Sequence, residues 1–216
     1  MRLLRIYYNW LLVRLRIRKI LPAFFITRIP VKECGEPLVV YAGVLMREAV
    51  AEMLAEARRN LPEGYEIIPV SGWRSAVEQD ALQQDFCNRL KRKYPELTSA
   101  DLVQQTKKWC ADSGGHQTGG AVDVQLWYQG RIADCGTPYL STSPDSETAE
   151  INRLSPEAMT NRRLLLQTMT EAGFVNYPAE WWHYCFGDQL YAAYHGEKCA
   201  FYGEIELYTP NSGENC

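Results

Sequence analysis

Two histidines of this 216-residue chain lie in segments whose other residues also suit metal chemistry. His116 stands in a glycine-flanked loop, SGGHQTGGAVD, and Asp123 follows it on the next predicted strand. His183 ends a second segment, EWWH, which begins with Glu180. Glycine permits a tight backbone path, so the loop can fold back and bring His116 beside Asp123. The pattern therefore predicts that these side chains converge.

Side chains of these types can form an open metal site. A catalytic zinc ion commonly takes three protein ligands and leaves one position for water. His116, Asp123 and His183 would supply the ligands, and Glu180 is the carboxylate placed to remove a proton from that water. Each residue alone also fits a plainer role, because buried histidines and aspartates are commonly hydrogen-bonded within a core. From spacing alone, metal binding and a structural role are both open.

One arginine follows a predicted strand, in the segment SGWRS, and precedes a predicted helix. The guanidinium of Arg74 is always charged and would stabilise an oxyanion; a surface arginine is the alternative. We expect the Trp181–Trp182 pair to form part of a pocket wall and of the core. His195 has no comparable neighbours, which indicates a structural or exposed role. The chain contains no Walker-type, GxGxxG or GxSxG sequence, so nucleotide-dependent chemistry and serine hydrolysis lose their usual support.

Hydrophobic periodicity and capping residues predict the helices that position these residues. Ser155 followed by Pro156 is typical of a helix start, and Gly173 predicts the end of that helix. The predicted helices lie over about 42–60, near 76–92, near 100–110 and from Pro156 towards Gly173.

Apolar segments with alternation predict the strands. Tyr65–Val70 is one strand, and in AVDVQLW the valines face one side of a sheet while Asp123 faces the other. FVNY and EWWHYCF are two more strand-like segments, with Glu180 in the entry to the second or at a bulge. Residues 129–154 predict a long loop of the kind that is often functional. With helices first and strands mostly later, the chain from Pro30 onward is predicted to be one α+β domain.

Composition and charge limit the function classes. Hydrophobic residues make up 46% and charged residues 23%, which is typical of a globular protein. The net charge of -3 gives no overall basic surface, so we expect no nucleic-acid partner. Seven cysteines without a CxxC pair favour reduced thiols and a cytoplasmic location.

The basic residues are concentrated at the start of the chain. Residues 1–32 contain eight basic and no acidic residues, which leaves 15 basic and 26 acidic residues elsewhere. Residues 1–29 form a basic, partly apolar segment ahead of a domain predicted for residues 30–216. Its uncharged runs are too short for a spanning helix, which needs about 20 apolar residues. Peripheral contact with an anionic membrane surface is one alternative for this segment, and a place at the edge of the fold is another. A membrane-associated or extracytoplasmic location is the alternative to a cytoplasmic one.

The segments SGWRS, SGGHQTGGAVD and EWWH, in this order, resemble the zinc D,D-peptidases of bacterial cell-wall metabolism. That group contains D-alanyl-D-alanine carboxypeptidases and D-alanyl-D-alanine dipeptidases, and the resemblance spans roughly residues 30–207. It implies one zinc ion per chain and a hedgehog/D,D-peptidase-like fold, in which helices flank a central antiparallel sheet.

The resemblance also implies a role for each matching residue. His116, Asp123 and His183 match the zinc ligands of the family. Glu180 matches its catalytic base, and Arg74 matches the arginine that stabilises the transition state. Three further residues are expected to contact substrate: Ser113, Gln79 and Trp182.

Features of both branches of the family are present. NRRLLLQTMTEAGF followed by EWWHY resembles the dipeptidases, whereas HQTG resembles the carboxypeptidases. Where dipeptidases carry Ser-Ser before the first histidine, this chain has Gly114-Gly115. Where they place an aspartate that holds the substrate ammonium, this chain has Leu140, with Asp145 as a nearby substitute.

These features predict a D-alanyl-D-alanine dipeptidase that releases D-alanine from the free dipeptide. A D-alanyl-D-alanine carboxypeptidase acting on peptidoglycan stem peptides is the first alternative. A non-catalytic zinc-containing binding module, like the signalling domain of hedgehog proteins, is the second. The simultaneous presence of Glu180 and Arg74 favours an enzyme, because a binding module needs neither.

Overall fold

The computed structural model describes residues 23–109, 114–148 and 153–206. Within these ranges the chain is α+β, with a central antiparallel sheet flanked by helices, as predicted. The described strands are β1 Leu38–Tyr41, β2 Val44–Arg47, β3 Tyr65–Ser71, β4 Ala121–Tyr128, β5 Arg131–Ile132, β6 Val175–Asn176 and β7 His183–Cys185. The described helices are α1 Ala23–Ile26, α2 Glu48–Arg59, α3 Ala76–Lys93, α4 Ser99–Trp109, α5 Gly115–Thr118, α6 Pro156–Glu171 and α7 Gln189–His195, with a 3-10 turn at Pro144–Ser146.

A β-hairpin occupies the expected start of the first long helix. The prediction of a helix over 42–60 is wrong for its first residues, because β1 and β2 pair there as antiparallel strands. The turn residues Ala42 and Gly43 have φ angles of 49° and 84°. Two-residue turns with positive φ match the twist of paired strands, so this sequence closes a hairpin. Helix α2 begins only at Glu48, and the expectation that helices precede most strands is wrong, since three strands come before α3.

The main sheet has the order β3-β4-β7-β6, and β5 pairs with the far end of β4. The register places Ser71 of β3 opposite Asp123 of β4, and Asp123 opposite His183 of β7. An irregularity between Pro69 and Ser71 shifts the end of β3 relative to β4. Three polar residues therefore lie side by side across three strands.

The main core lies against one face of this sheet. Val122, Val124 and Leu126 of β4 are fully buried in one cluster with Leu54 of α2 and Leu165 of α6. Each such side chain stabilises the fold by about 1.5–3 kcal/mol when fully buried. Alternate residues of a strand face opposite sides, so Asp123 lies on the face away from this cluster.

The ends of the later helices follow from their capping residues. The backbone N–H of Ala158 donates to the Ser155 hydroxyl, which confirms the predicted start of α6. Gly173 follows the helix with a φ of 100°, as its predicted role requires. Helix α7 was not predicted, although Asp188 caps its start and Gly196 ends it in the left-handed conformation.

Two buried arginines hold the segments beside the sheet. Arg47, 1% exposed, donates to the carbonyl oxygen of Thr118 at 2.8 Å, at the end of α5. Arg162 of α6 donates to the carbonyl oxygens of Cys135 and Asp145 at 2.6 and 2.7 Å. The loop predicted over 129–154, where the structure describes it, is therefore tied to α6 through backbone oxygens.

Five described cysteines are free in the structure: Cys34, Cys87, Cys135, Cys185 and Cys199. Within the described ranges, the structure contains no helix with the length and apolar character that crossing a membrane requires. Most of the N-terminal segment 1–29 lies outside these ranges, so its predicted role rests on sequence.

Candidate metal centre and active site

His116, Asp123 and His183 converge on the face of the sheet away from the main core. Oδ1 of Asp123 lies 3.3 Å from Nε2 of His116 and 2.9 Å from Nδ1 of His183. A ligand atom from each residue lies within 4.8 Å of the other two. Strand register fixes Asp123 relative to His183, and the short helix α5 places His116 above them. The structure thus brings the three predicted ligands together.

The donor set suits a zinc ion. Nδ1 of His116 lies 2.7 Å from the carbonyl oxygen of Gly72, a contact that leaves Nε2 facing the other ligands. Burial lowers the pKa of His116, so its imidazole is neutral at neutral pH. Burial also opposes ionisation of Asp123, but the two histidines outweigh it and hold the pKa of its carboxyl well below the usual value. Neutral imidazole and ionised carboxylate are the forms that bind zinc. Burial disfavours the charged form of His183, but Asp123 outweighs it and raises the pKa of His183, so zinc displaces a proton from this ligand.

Glu180 lies in the turn that leads into β7, as one of the sequence alternatives predicts. Its N–H donates to the carbonyl oxygen of Tyr177, and its own carbonyl oxygen accepts from His183. The side chain is 9% exposed, and burial raises its pKa to about 7 even though the charge of His183 lowers it. A carboxyl group with a pKa near neutrality is suited to accept and return a proton.

Arg74 lies between the end of β3 and the start of α3. Its Nη1 donates to Oε1 of Gln79 at 2.7 Å, and its Nη2 donates to the Ser71 hydroxyl at 2.9 Å. Its backbone N–H donates to the carbonyl oxygen of His116, which ties the arginine to the ligand loop. The guanidinium is therefore oriented by side chains of two elements.

The three ligands, Glu180 and Arg74 all line one cavity of about 570 Å³. Part of its wall is apolar and comes from early and late segments of the described residues as well as from α3. The apolar lining residues include Ile26, Val31, Leu82, Phe86, Leu140 and Leu190. The cavity is thus a cleft with polar, potentially reactive groups on one side and an apolar wall on another.

The expected substrate contacts have different outcomes. Gln79 lines the cleft and is 6% exposed, with its Oε1 engaged by Arg74. Trp182 is 1% exposed and packs edge-on against Trp181 and Tyr139. Its indole therefore lies in the aromatic core and is not among the residues that line the cleft. Ser113 lies outside the described residues.

Sequence reasoning missed Tyr139, whose hydroxyl donates to Oδ2 of Asp123 at 2.9 Å. The signal was an aromatic residue with a hydroxyl group at the end of the turn that begins at Gly136. The next residue, Leu140, lines the cleft with a φ of 59°. Asp145, the suggested substitute for a missing acid, contacts Ser143 and Arg153 and is not among the described residues that line the cleft.

The remaining histidine is separate from this site. His195 lies at the end of α7, where its ring stacks on Tyr191 with 4.3 Å between ring centroids. His195 is exposed, and this arrangement agrees with the structural or exposed role predicted for it.

Comparisons with known proteins identify the family to which this chain belongs. The Peptidase_M15 family, described as D-ala-D-ala dipeptidase, matches residues 38–200. A D-alanyl-D-alanine dipeptidase of Synechocystis sp. is 29% identical over 235 residues, which cover 82% of this chain and 95% of that protein. A D-alanyl-D-alanine dipeptidase of Enterococcus faecalis is 30% identical, over 73% of this chain and 81% of its own.

A solved structure, VanYB in complex with D-alanine-D-alanine, is also similar. Its TM-score is 0.48 and its sequence identity 19%, over 77% of this chain and 86% of VanYB.

The site and the family match together define a zinc metallopeptidase. The chain belongs to the D-ala-D-ala dipeptidase family, Peptidase_M15. The activity that this family shares is the hydrolysis of D-alanyl-D-alanine peptide bonds.

Proposed function

We propose that this chain is a D-alanyl-D-alanine dipeptidase, which hydrolyses the free dipeptide to two molecules of D-alanine. The observation on which this rests is that Glu180 and Arg74 line the same cleft as the three zinc ligands. A proton acceptor and a fixed positive charge can thereby act on the same bound substrate. The named relatives are dipeptidases and match most of this chain, which supports the free dipeptide as substrate.

The residues on the polar side of the cleft have separate roles in the reaction. His116, Asp123 and His183 would hold the zinc ion, which would supply a Lewis acid and make water more acidic. Glu180 accepts a proton from the water that attacks the scissile carbonyl carbon. As the C–N bond breaks, the same carboxyl group returns this proton to the amine of the departing D-alanine. Water is consumed, and no further reactant is needed.

Arg74 stabilises the charge that develops during this attack. Its guanidinium donates hydrogen bonds to the carbonyl oxygen as that oxygen becomes negative. Gln79 and Ser71 already hold the arginine, so little reorganisation is needed in the transition state. Loss of one such donor typically lowers kcat about 100-fold or more.

One observation favours a second candidate, a D-alanyl-D-alanine carboxypeptidase that acts on peptidoglycan stem peptides. Leu140 and its apolar neighbours line part of a cleft of about 570 Å³. A stem peptide is acylated on the amino side of its D-alanyl-D-alanine end and has no ammonium group there. An apolar wall suits that substrate better than it suits a charged amine.

The experiment compares D-alanine release by the full, zinc-loaded chain from two substrates, D-alanyl-D-alanine and N-acetyl-D-alanyl-D-alanine. We expect release from the free dipeptide and little from the acetylated one, with Glu180→Gln as the inactive control. Preferential release of D-alanine from the acetylated peptide would reject the dipeptidase activity and favour the carboxypeptidase activity. Release from neither, with zinc measured in the protein, would reject both peptidase activities and favour the binding module.

We also propose a cytoplasmic location. The free thiols of the described cysteines support it, because disulfides are rare in a reducing compartment. Fractionation of cells that produce the chain tests this proposal, and recovery with membranes would favour peripheral contact through residues 1–29.

A further inference from the structure

Two hydroxyl groups, those of Ser71 and Tyr139, lie between the cleft arginine and the predicted zinc ligand Asp123. Nη2 of Arg74 donates to the Ser71 hydroxyl, and the same hydroxyl is a polar neighbour of the Tyr139 oxygen. The Tyr139 hydroxyl donates to Oδ2 of Asp123 at 2.9 Å. Ser71 lies opposite Asp123 in the paired strands β3 and β4, so strand pairing holds the two residues next to each other.

The two carboxylate oxygens of Asp123 have different neighbours. Oδ1 faces Nε2 of His116 and Nδ1 of His183, whereas Oδ2 accepts the Tyr139 hydroxyl. A carboxylate with two free oxygens can bind a metal through either or both. The Tyr139 hydrogen bond therefore occupies one acceptor position of Oδ2 and disfavours Oδ2 as a second ligand atom, whereas Oδ1 is left facing the histidines.

Tyr139 is itself held on several sides, although it lies in a long loop. Its ring packs edge-on against Trp182, with 5.7 Å between ring centroids. Nearby, the indole N–H of Trp181 donates to the Thr137 hydroxyl at 2.9 Å, and Arg162 binds backbone oxygens on both sides of this segment. A hydroxyl group that is fixed in this way can orient its acceptor.

We propose that Tyr139 and Ser71 are positioning residues for the metal centre. Tyr139 orients Asp123 and limits it to one zinc-binding oxygen, while Ser71 strengthens the Tyr139 hydrogen bond and links it to Arg74. Hydrogen bonds in such a chain polarise one another, so Ser71 acts on the ligand through Tyr139. The inference rests on the zinc site of the proposed function, but not on which peptide is cleaved.

The first test is Tyr139→Phe, which removes the hydroxyl group and keeps the ring against Trp182. Zinc affinity is measured by competition with a chelator, without any peptide. We expect the dissociation constant to rise about 10-fold or more, as is typical when a partner of a metal ligand is lost. Tyr65→Phe is the matched control, since the Tyr65 hydroxyl donates to Asn161 away from the site; it should bind zinc as the unaltered chain does.

A spectrum distinguishes positioning from general loosening. In the cobalt-loaded proteins, we expect Tyr139→Phe alone to show weaker visible absorption, because a second oxygen of Asp123 joins the metal and raises its coordination number. Thermal unfolding of the metal-free variants should show similar small losses for Tyr139→Phe and Tyr65→Phe. Equal zinc affinities and identical cobalt spectra for these two variants would overturn the proposal.

The second test combines Ser71→Ala with Tyr139→Phe. We expect Ser71→Ala to weaken zinc binding a few-fold in the unaltered chain and to have no effect when residue 139 lacks its hydroxyl. This dependence shows that Ser71 acts through Tyr139. If the two effects multiply, or if Ser71→Ala leaves zinc affinity unchanged, the hydrogen-bond chain has no positioning role. Because no peptide is used, failure here is distinct from failure of the proposed peptidase activity.

Discussion

Asp123 and His183 face each other across neighbouring antiparallel strands, with 2.9 Å between Oδ1 of the aspartate and Nδ1 of the histidine. Two of the three proposed zinc ligands are thus fixed by sheet register rather than by loops. The third, His116, is oriented by the Gly72 carbonyl oxygen. A centre built in this way loses little conformational freedom when the metal binds.

Removal of one ligand should abolish tight zinc binding. We expect His116→Ala to lose its zinc on dialysis, because two ligands remain where a stable site needs at least three. Metal analysis of the dialysed protein checks this. His195→Ala is the control, since His195 stacks on Tyr191 outside the cleft. Full zinc retention by His116→Ala would show that the ligand set is wrong.

The local patterns of this sequence predicted much of the fold and the converging residues. Alternation in β4 predicted that Asp123 faces away from the valines, and Ser155 with Gly173 predicted both ends of α6. These features depend on neighbours within a few positions of the chain. The hairpin at Ala42–Gly43 was missed because apolar residues of a short strand and of a helix look alike over one or two turns.

The partners of the site residues could not be predicted in the same way. Tyr139 lies 16 positions from Asp123 in the chain, and their contact depends on how α6 and Trp182 hold the intervening loop. The expected substrate contact of Trp182 depended on the direction of its side chain, which the packing of several aromatic rings decides. Such relationships are tertiary and leave no periodic pattern in the sequence.

Glu180 should be required for turnover and not for metal binding. We expect Glu180→Gln to keep its zinc and to lose about 100-fold to 10,000-fold in kcat, because the amide cannot accept the proton of the attacking water. D-alanine release and metal analysis on the same sample check this. Glu63→Gln, at an exposed position, is the control and should leave both unchanged. A fully active Glu180→Gln would reject the mechanism.

The buried carboxyl of Glu180 should make the metal-free protein less stable as pH rises. Burial raises the pKa of Glu180 to about 7, from 4.5 in the unfolded chain. Between these values the folded state binds the extra proton, so the free energy of unfolding falls with increasing pH in this range. Glu180→Gln lacks this group and should be more stable than the unaltered chain at pH 8, by up to about 3 kcal/mol.

The same difference should disappear at about pH 4, where the carboxyl is largely protonated in both states. Urea unfolding of both metal-free proteins across this pH range is the measurement. An equal stability difference at pH 4 and pH 8 would show that the effect of the substitution does not come from proton binding at Glu180.

Arg47 should stabilise both the fold and the metal centre. Its buried guanidinium donates to the carbonyl oxygens of Thr118 and Glu36 and forms an ion pair with Glu33. We expect Arg47→Ala to lower the free energy of unfolding by about 3 kcal/mol, because it leaves buried acceptors unpaired. It should also weaken zinc binding, since Thr118 ends the short helix that contains His116. Denaturant unfolding and chelator competition measure the two effects, with exposed Arg59→Ala of α2 as the control. If Arg47→Ala and Arg59→Ala have equal stability, the hydrogen bonds of Arg47 contribute nothing net to the fold.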